Sequence, residues 1–114
     1  MPYIEAKFSA KFDESAQNSL ASGLCKAVAE AFGKKPASIM SLIECDKALF
    51  LAENPFPNGA FVAVALLGES VDKRLCERAT KDICEFLAKF GIEGKNVYVI
   101  FRPTPLWGRD GAMF

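Results

Sequence analysis

The beginning of the chain offers a group that could act as a base. Pro2 follows Met1, and an initiator methionine is normally removed when a small residue such as proline comes next. Removal leaves a secondary amine at the start of an apolar-rich segment. An α-amino group titrates at about pH 7.7–8.0, and burial among apolar groups lowers this pKa because it disfavours the charged form. Provided that Met1 is removed, Pro2 is therefore a candidate general base at neutral pH.

Several other kinds of catalytic site are excluded or disfavoured by the composition. The chain has no histidine, which excludes Ser-His-Asp and Cys-His arrangements and zinc sites that contain histidine. The four cysteines form no CxxC pair, so neither a Cys-only zinc site nor a thioredoxin-like motif is expected. We interpret them as small buried hydrophobic residues, and we expect no metal and no organic cofactor. They are Cys25, Cys45, Cys76 and Cys84.

Length and charge indicate one globular domain over residues 1–114. Apolar residues make up 51% of the chain, and 14 Lys and Arg balance 14 Asp and Glu. A chain with this charge balance has no excess of basic residues with which to bind nucleic acid. No apolar stretch approaches the roughly 20 residues of a membrane span, and the N-terminus lacks the layout of a signal peptide. We therefore expect a cytoplasmic protein that binds neither nucleic acid nor a membrane.

The elements that must position Pro2 occur twice, because the pattern of 2–58 recurs in 60–114 with a shift of 58 residues. Each unit is predicted to be strand, helix, strand. The predicted bounds are 2–8, about Asp13 to Gly33 and 38–43, then 60–67, about Ser70 to Gly91 and 96–101. Asp13 is the expected N-cap and Gly33 the expected left-handed C-terminal residue. The prediction is an α+β fold in which two tandem β-α-β units form a four-stranded sheet with both helices on one face.

Shorter segments join and follow these two units. A short extra strand is predicted at 48–51, followed by a loop at 52–59 that is marked by proline and glycine. Prolines and glycines after Phe101 exclude a long helix in the tail.

One face of this predicted sheet is left uncovered by the helices. Residues 61–67 are apolar at every position, and 97–101 nearly so, whereas a half-buried strand should alternate. At about 25 cal/mol per Å² of apolar surface, leaving such a face in water would cost many kcal/mol. The tail is too short to cover it. We therefore predict that further copies of the chain cover the face and that the protein is a homo-oligomer.

A series of short motifs adds a more specific indication. In order, they are the Met-Pro start, Phe-Gly-Lys-Lys-Pro at 32–36, Leu-Leu-Gly at 66–68, Asn-Val-Tyr-Val at 96–99 and the Trp-Gly … Met-Phe end at 107–114. Over its whole length the chain resembles the tautomerase superfamily, in particular the branch of macrophage migration inhibitory factor and D-dopachrome tautomerase. This resemblance implies a homotrimer whose three sheets form a central barrel, with an active site at each subunit boundary.

The resemblance also implies roles for individual residues. Pro2 would be the catalytic base. Lys34 would hold the substrate carboxylate or stabilise developing enolate charge, although the residues alone favour interpreting it as a cation near a helix C-terminus. Lys35 follows directly in the same motif, so this role belongs to either Lys34 or Lys35. Leu67 would contact the substrate through its backbone N–H, a role compatible with a plain core strand residue.

Other residues are implied as the walls of the pocket. Tyr98 would be contributed by the neighbouring subunit, and Trp107 and Phe114 would form an aromatic rim, although each also fits as an ordinary strand or tail residue. Ile100 stands where the family often has a pocket asparagine. Arg102 and Arg109 could supply a replacement anion contact, or they are solvated charges near the end of the chain.

Further departures from the family pattern concern neighbouring segments. Ala65 and Leu66 are apolar where relatives are often polar, and 51–57 replaces a Gly-Gly-Ser-rich stretch. The CxxC of the cytokine branch is absent, so no thiol oxidoreductase activity is expected. These changes predict a drier pocket, which would lower the pKa of the Pro2 amine further.

The resulting hypothesis is a keto–enol tautomerase for small aryl 2-keto acids such as phenylpyruvate. A rival enzyme hypothesis uses the same amine to activate water or to form an adduct with a different acid. The other class of hypothesis is a trimeric, cytokine-like protein-binding module with weak or no catalysis, for which the resemblance implies an unknown receptor and secretion without a leader.

Overall fold

The computed structural model describes residues 1–55 and 57–114. It contains two helices, a four-stranded main sheet and two small hairpins. The helices are α1 (Glu14–Phe32) and α2 (Lys73–Ala88). The main sheet contains β1 (Pro2–Phe8), β2 (Met40–Glu44), β5 (Ala60–Leu67) and β6 (Val97–Thr104). The hairpins are β3 (Phe50–Leu51) with β4 (Asn54–Pro55), and β7 (Gly108–Arg109) with β8 (Ala112–Met113).

The main sheet has the strand order β2-β1-β5-β6. β1 runs parallel to β2, β5 runs parallel to β6, and β1 and β5 pair antiparallel at the centre. Each parallel pair is joined by one helix, and α1 and α2 contact each other on one face of the sheet. The predicted α+β class, with two β-α-β units and one four-stranded sheet, is confirmed.

Local signals position both helices. Asp13 caps α1, because its Oδ1 accepts a hydrogen bond of 2.8 Å from the Ala16 N–H. Gly33 ends α1 at φ 62° and ψ 39°, a left-handed conformation that favours glycine. In the second unit the N-cap is Asp72, whose Oδ1 accepts a hydrogen bond of 2.8 Å from the Arg74 N–H. α2 therefore begins slightly later than the predicted Ser70. Neither helix in the described part of the chain is long and apolar enough to cross a bilayer.

The bounds of three other elements differ from the prediction. β2 starts at Met40 because Pro36–Ser38 form a 3₁₀ turn, in which the Ile39 N–H donates to the Pro36 carbonyl at 3.1 Å. β6 continues to Thr104, since Pro103 is tolerated in an edge strand. The extra strand predicted at 48–51 is shorter in the structure, where it consists of β3 (Phe50–Leu51). β3 pairs with β4, which lies inside the predicted loop. Phe56 of that loop lies outside the described residues.

The hydrophobic core lies between the helices and one face of the sheet. Its side chains with no exposed surface include Ile4, Phe8, Leu20, Leu24, Val62, Val64, Ile83 and Leu87. The four cysteines are only half-buried, contrary to the prediction, because they lie at the margins of this core. Partial burial is the main cause that raises the thiol pKa of Cys45, Cys76 and Cys84.

The other face of the sheet carries a mainly apolar surface, which we call the open face. Its side chains alternate with those of the core along each strand. They include Met40, Leu42, Phe61, Ala63, Ala65, Tyr98 and Ile100, together with Glu5, Lys7, Glu44 and Arg102. Met40 is 71% exposed and Tyr98 60%. Apolar side chains of this size on a sheet face indicate an interaction surface.

The two helices approach closely at Gly23, and this contact yields a stability prediction. A Cβ atom at Gly23 would overlap the Phe86 ring, which also packs edge-on against Phe90. Gly23→Ala is expected to lower the free energy of unfolding by about 1 kcal/mol or more, because overpacking outweighs the better helix propensity of alanine. Urea unfolding measures the change.

A double-variant cycle gives the control for this contact. In a Phe86→Ala background the overlap is gone, so Gly23→Ala should stabilise the protein by up to about 1 kcal/mol. Gly94→Ala, whose Cβ would meet Cys84 Cβ at an ordinary 4.0 Å, should change little. An equal loss from Gly23→Ala in both backgrounds would contradict the packing shown here.

Candidate active site

A cavity of about 740 Å³ opens at the end of the sheet where β1 begins. β1 contributes Pro2 and Tyr3, and the 3₁₀ turn with the start of β2 contributes Ser38, Ile39 and Met40. The opposite wall consists of Ala65, Thr104, Leu106, Trp107 and Arg109. Four strand ends and the tail therefore meet around Pro2.

Strand register brings these segments together. Pro2 pairs with Leu66 of β5, and Tyr3 lies between Met40 of β2 and Ala65 of β5. Proline fits the first position of a strand because it has no N–H to donate. The Pro2 side chain is fully buried, and its nitrogen is thereby held at the base of the cavity.

The electrostatic setting favours a neutral amine. With Met1 in place, Pro2 N is an amide nitrogen and the amino group belongs to Met1. Burial is the larger cause that lowers the pKa of this amino group from its ordinary 8.0, and the positive charge of Lys34 lowers it further. Removal of Met1 transfers the amine one residue deeper, to the buried Pro2.

The charge of the cavity lining favours anionic ligands. Among the described residues that line it, Arg109 has the one charged side chain, and most of the others are apolar. Lys34 does not line the cavity, but it acts on the amino group at its base. Both positive charges therefore attract an anion, while a cation has no carboxylate partner in the described lining.

The structure brings together some of the site residues that were predicted from the sequence. Pro2, Trp107 and Arg109 line one cavity. Leu67 lies beside it at the end of β5, paired with Thr104. Phe114 is 61% exposed and outside the lining, where its N–H donates to the Trp107 carbonyl at 2.9 Å and holds the tail hairpin together.

Tyr98 and Arg102 lie elsewhere on β6. Leu66, the partner of Pro2, pairs with Pro103, which is five residues after Tyr98. At about 3.3 Å per residue, Tyr98 is roughly 17 Å from the level of Pro2 along the strand. It can therefore approach a Pro2 only in another copy of the chain. Arg102 is exposed on the open face, opposite Ala65.

Several lining residues were not predicted, namely Tyr3, Ser38, Met40, Thr104 and Leu106. Most of them neighbour Pro2 through the register of β1 with β2 and β5, or follow from the extension of β6 past Pro103. The sequence signal that could have identified Met40 was the start of a strand at Pro2. In a parallel pair, the residues that begin the two strands lie at the same end of the sheet.

Comparison with known proteins supports this fold independently. No family model and no curated protein matches the sequence. The crystal structure of Leishmania major MIF2 is 22% identical, with a TM-score of 0.89 over 100% of this chain and 97% of that one. A macrophage migration inhibitory factor homologue from Prochlorococcus marinus is 24% identical, with a TM-score of 0.86 over 98% of both chains.

A third structure extends the similarity to another branch. A fused 4-OT, described as a symmetric trimer, is 20% identical with a TM-score of 0.84 over 97% of this chain and 94% of that one. The fold that the sequence resemblance implies is thus confirmed in three dimensions. The chain has the fold of macrophage migration inhibitory factor-like proteins and of the wider tautomerase superfamily.

Proposed function

We propose that the protein is a member of the tautomerase superfamily, a single functional unit over 1–114, and that it interconverts keto and enol forms of small aryl 2-keto acids. The observation that carries the proposal is the position of Pro2, which is buried at the base of an apolar cavity with its nitrogen at the very start of β1. Removal of Met1 converts that nitrogen into an amine. The chain needs no histidine for this chemistry.

The proposed reaction is a proton transfer in two steps. The neutral Pro2 amine removes a proton from the carbon next to the keto carbonyl, and the electron pair of the C–H bond moves to form an enolate. The protonated amine then returns the proton to the enolate oxygen, which gives the enol. Lys34 and the Leu67 N–H stabilise the negative oxygen, and Trp107, which lines the cavity, provides aromatic surface for the ring of the substrate.

The proposed assembly is a homotrimer in which the open faces meet around a central barrel. Two features support it: the exposed apolar side chains of the open face and the distance that separates Tyr98 from Pro2 within one chain. In the assembly, Tyr98 of one copy completes the pocket wall of another. The fused 4-OT with the same fold is itself described as a symmetric trimer.

The direct test is an enolisation assay with phenylpyruvate. Intact mass first establishes that Met1 has been removed, and a sample that retains Met1 serves as the matched control. We expect activity to follow the fraction of chains without Met1, because only these have a basic Pro2 nitrogen. Fully processed, correctly folded protein without activity would refute the proposal.

The pH dependence of the reaction gives a further prediction. Since a base must be unprotonated, kcat/KM should fall as the pH decreases through the pKa of the Pro2 amine, and this pKa should lie below the ordinary 8.0 of an α-amino group. Lys34→Gln removes a charge that lowers the pKa, so it should move this acid limb to higher pH.

Lys35→Gln is the control for the Lys34 effect, because the neighbouring side chain is not among the causes that lower the amino pKa. A pH profile of kcat/KM for the two variants separates them. Equal shifts in both variants, or a limb at the ordinary pKa in the parent protein, would contradict the electrostatic role of Lys34.

A second candidate function is a trimeric, cytokine-like protein-binding module. Exposed apolar side chains near the cavity mouth favour it, since Leu106 is 81% exposed and Met113 is also exposed. In that case processed protein would lack activity and its Pro2 amine would titrate normally.

A further inference from the structure

We propose that Asn58 is a site of spontaneous deamidation, that local contacts in the folded chain slow this reaction, and that its product destabilises the fold. Asn58 and Gly59 end the loop that precedes β5. A glycine after asparagine offers the least steric hindrance to attack by its backbone nitrogen on the asparagine side chain. Asn18, Asn54 and Asn96 are followed instead by serine, proline and valine. The proposal is independent of the catalytic role of Pro2.

The proposed reaction is intramolecular until its last step. The backbone nitrogen of Gly59 attacks Cγ of Asn58, and a C–N bond forms. The bond from Cγ to Nδ2 breaks, and Nδ2 leaves as ammonia with the proton of the Gly59 N–H. Water then opens the resulting cyclic succinimide at either of its carbonyl groups. The products are aspartate and isoaspartate at position 58, and Asn58 is half-buried, so water can reach it.

The nucleophile of this reaction is held by Ser9. The Gly59 N–H donates to Ser9 Oγ at 2.7 Å, and the Ser9 N–H donates to the Gly59 carbonyl at 3.1 Å. These bonds extend the pairing of β1 with β5 beyond Phe8 and Ala60, and Gly59 itself is buried. A buried, hydrogen-bonded N–H exchanges its proton only when the structure opens locally. The bond to Ser9 must therefore break before the Gly59 nitrogen can attack.

The side chain that is attacked is held by the turn after α2. Asn58 Nδ2 donates to the Phe90 carbonyl at 3.1 Å. It also lies close to Gly91, where a Cβ atom would be 3.2 Å from Nδ2 and where φ is 78°. Glycine at position 91 thus leaves room for the amide. Rotation of the Asn58 side chain towards Gly59 breaks the bond to Phe90, so the fold restrains both reacting groups.

The product does not fit the contact that the amide makes. A carboxylate only accepts hydrogen bonds, so two oxygens would face each other where Asn58 Nδ2 now donates to Phe90. Asn58 Oδ1 is buried and accepts no hydrogen bond from the described residues, which makes a negative charge at this position costly. Isoaspartate also lengthens the backbone by a methylene group just before β5. Both products therefore release the loop from the end of α2.

Peptide mapping by mass spectrometry measures the rate of deamidation during incubation at mildly alkaline pH. We expect the folded parent protein to react more slowly at Asn58 than the same protein in urea. In the folded state Ser9→Ala should accelerate the reaction about tenfold, because it removes the acceptor of the Gly59 N–H. In urea the parent and Ser9→Ala should react at equal rates, since the restraint exists only in the folded chain. Circular dichroism establishes which samples are folded.

Two control variants make this test specific to local opening. Gly23→Ala weakens the fold at the contact between the helices, and it should leave the rate at Asn58 unchanged. Ser38→Ala also removes a hydroxyl that makes a backbone hydrogen bond, in this case to the Lys35 carbonyl at 2.8 Å, and it should behave as the parent. Equal acceleration by Gly23→Ala and Ser9→Ala would overturn the proposed restraint, as would a folded parent that reacts as fast as the unfolded chain.

The effect of the product is tested separately with Asn58→Asp. Urea unfolding should show an unfolding equilibrium constant that is higher than that of the parent by about tenfold or more, because a buried hydrogen bond is replaced by a repulsive contact. Asn54→Asp, at an exposed position in β4, is the matched control and should change little. If Asn58→Asp were as stable as Asn54→Asp, deamidation at Asn58 would not destabilise the fold and this part of the proposal would be wrong.

Discussion

Replacing Pro2 with alanine is expected to lower kcat/KM for phenylpyruvate by about 100-fold or more. A positioned general base contributes roughly 10²–10⁴-fold to a proton transfer. Alanine leaves a primary amine after removal of Met1, but it lacks the ring that buries and orients the nitrogen at the start of β1. The effect should appear in kcat, since the cavity that binds the substrate remains.

The control for this variant is Pro55→Ala. Pro55 lies in β4, paired with Phe50 in the first hairpin and outside the cavity lining, so its replacement should leave the rate unchanged. Intact mass and thermal unfolding establish that each variant is processed and folded. Retention of near-parental activity by folded Pro2→Ala would remove Pro2 from the mechanism.

Replacing Ala63 with arginine is expected to dissociate the proposed homotrimer and to abolish activity. Ala63 lies on the open face of β5, between Glu5 of β1 and Ile100 of β6. A long side chain at this central position leaves no room for the facing sheets of the proposed trimer, and the cost of burying its charge there can exceed the gain from pairing with Glu5. Light scattering should report the mass of one chain, and the pocket would lack Tyr98 of the neighbouring copy.

Ala88→Arg provides the comparison, because Ala88 is an exposed residue at the end of α2 and away from the open face. It should remain trimeric and active. Far-ultraviolet circular dichroism distinguishes dissociation of Ala63→Arg from unfolding. If Ala63→Arg stayed trimeric and active, the open face would not be the trimer interface.

Much of the fold could be predicted because its signals are local. Asp13 and Gly33 mark the ends of α1 through capping and a left-handed turn, and both were identified from their residue types. The strands at 2–8 and 60–67 were also predicted with their observed bounds, since continuous or alternating apolar residues specify them. The recurrence of the pattern at a shift of 58 residues then indicated the β-α-β units.

The walls of the site were predicted less completely because they depend on strand register. Tyr3 reaches the cavity through pairing with Met40 and Ala65, residues distant in sequence, and no local pattern specifies that register. Thr104 was missed because the last strand was predicted to end at Phe101, whereas β6 continues through Pro103, which an edge strand accepts. Pro2 was found because its chemistry depends on its place at the start of the chain.

The arrangement of the main sheet has a consequence for how the protein is synthesised. Every strand pair in it joins residues that are dozens of positions apart, such as Tyr3 with Met40 and Ala60 with Val97. Non-local pairing slows folding relative to helix formation. On the ribosome, β1 must therefore wait for β5 to emerge before its second edge is covered. During this interval the nascent chain exposes an unpaired edge, and we expect that interval to be when it is most prone to aggregate or to need a chaperone.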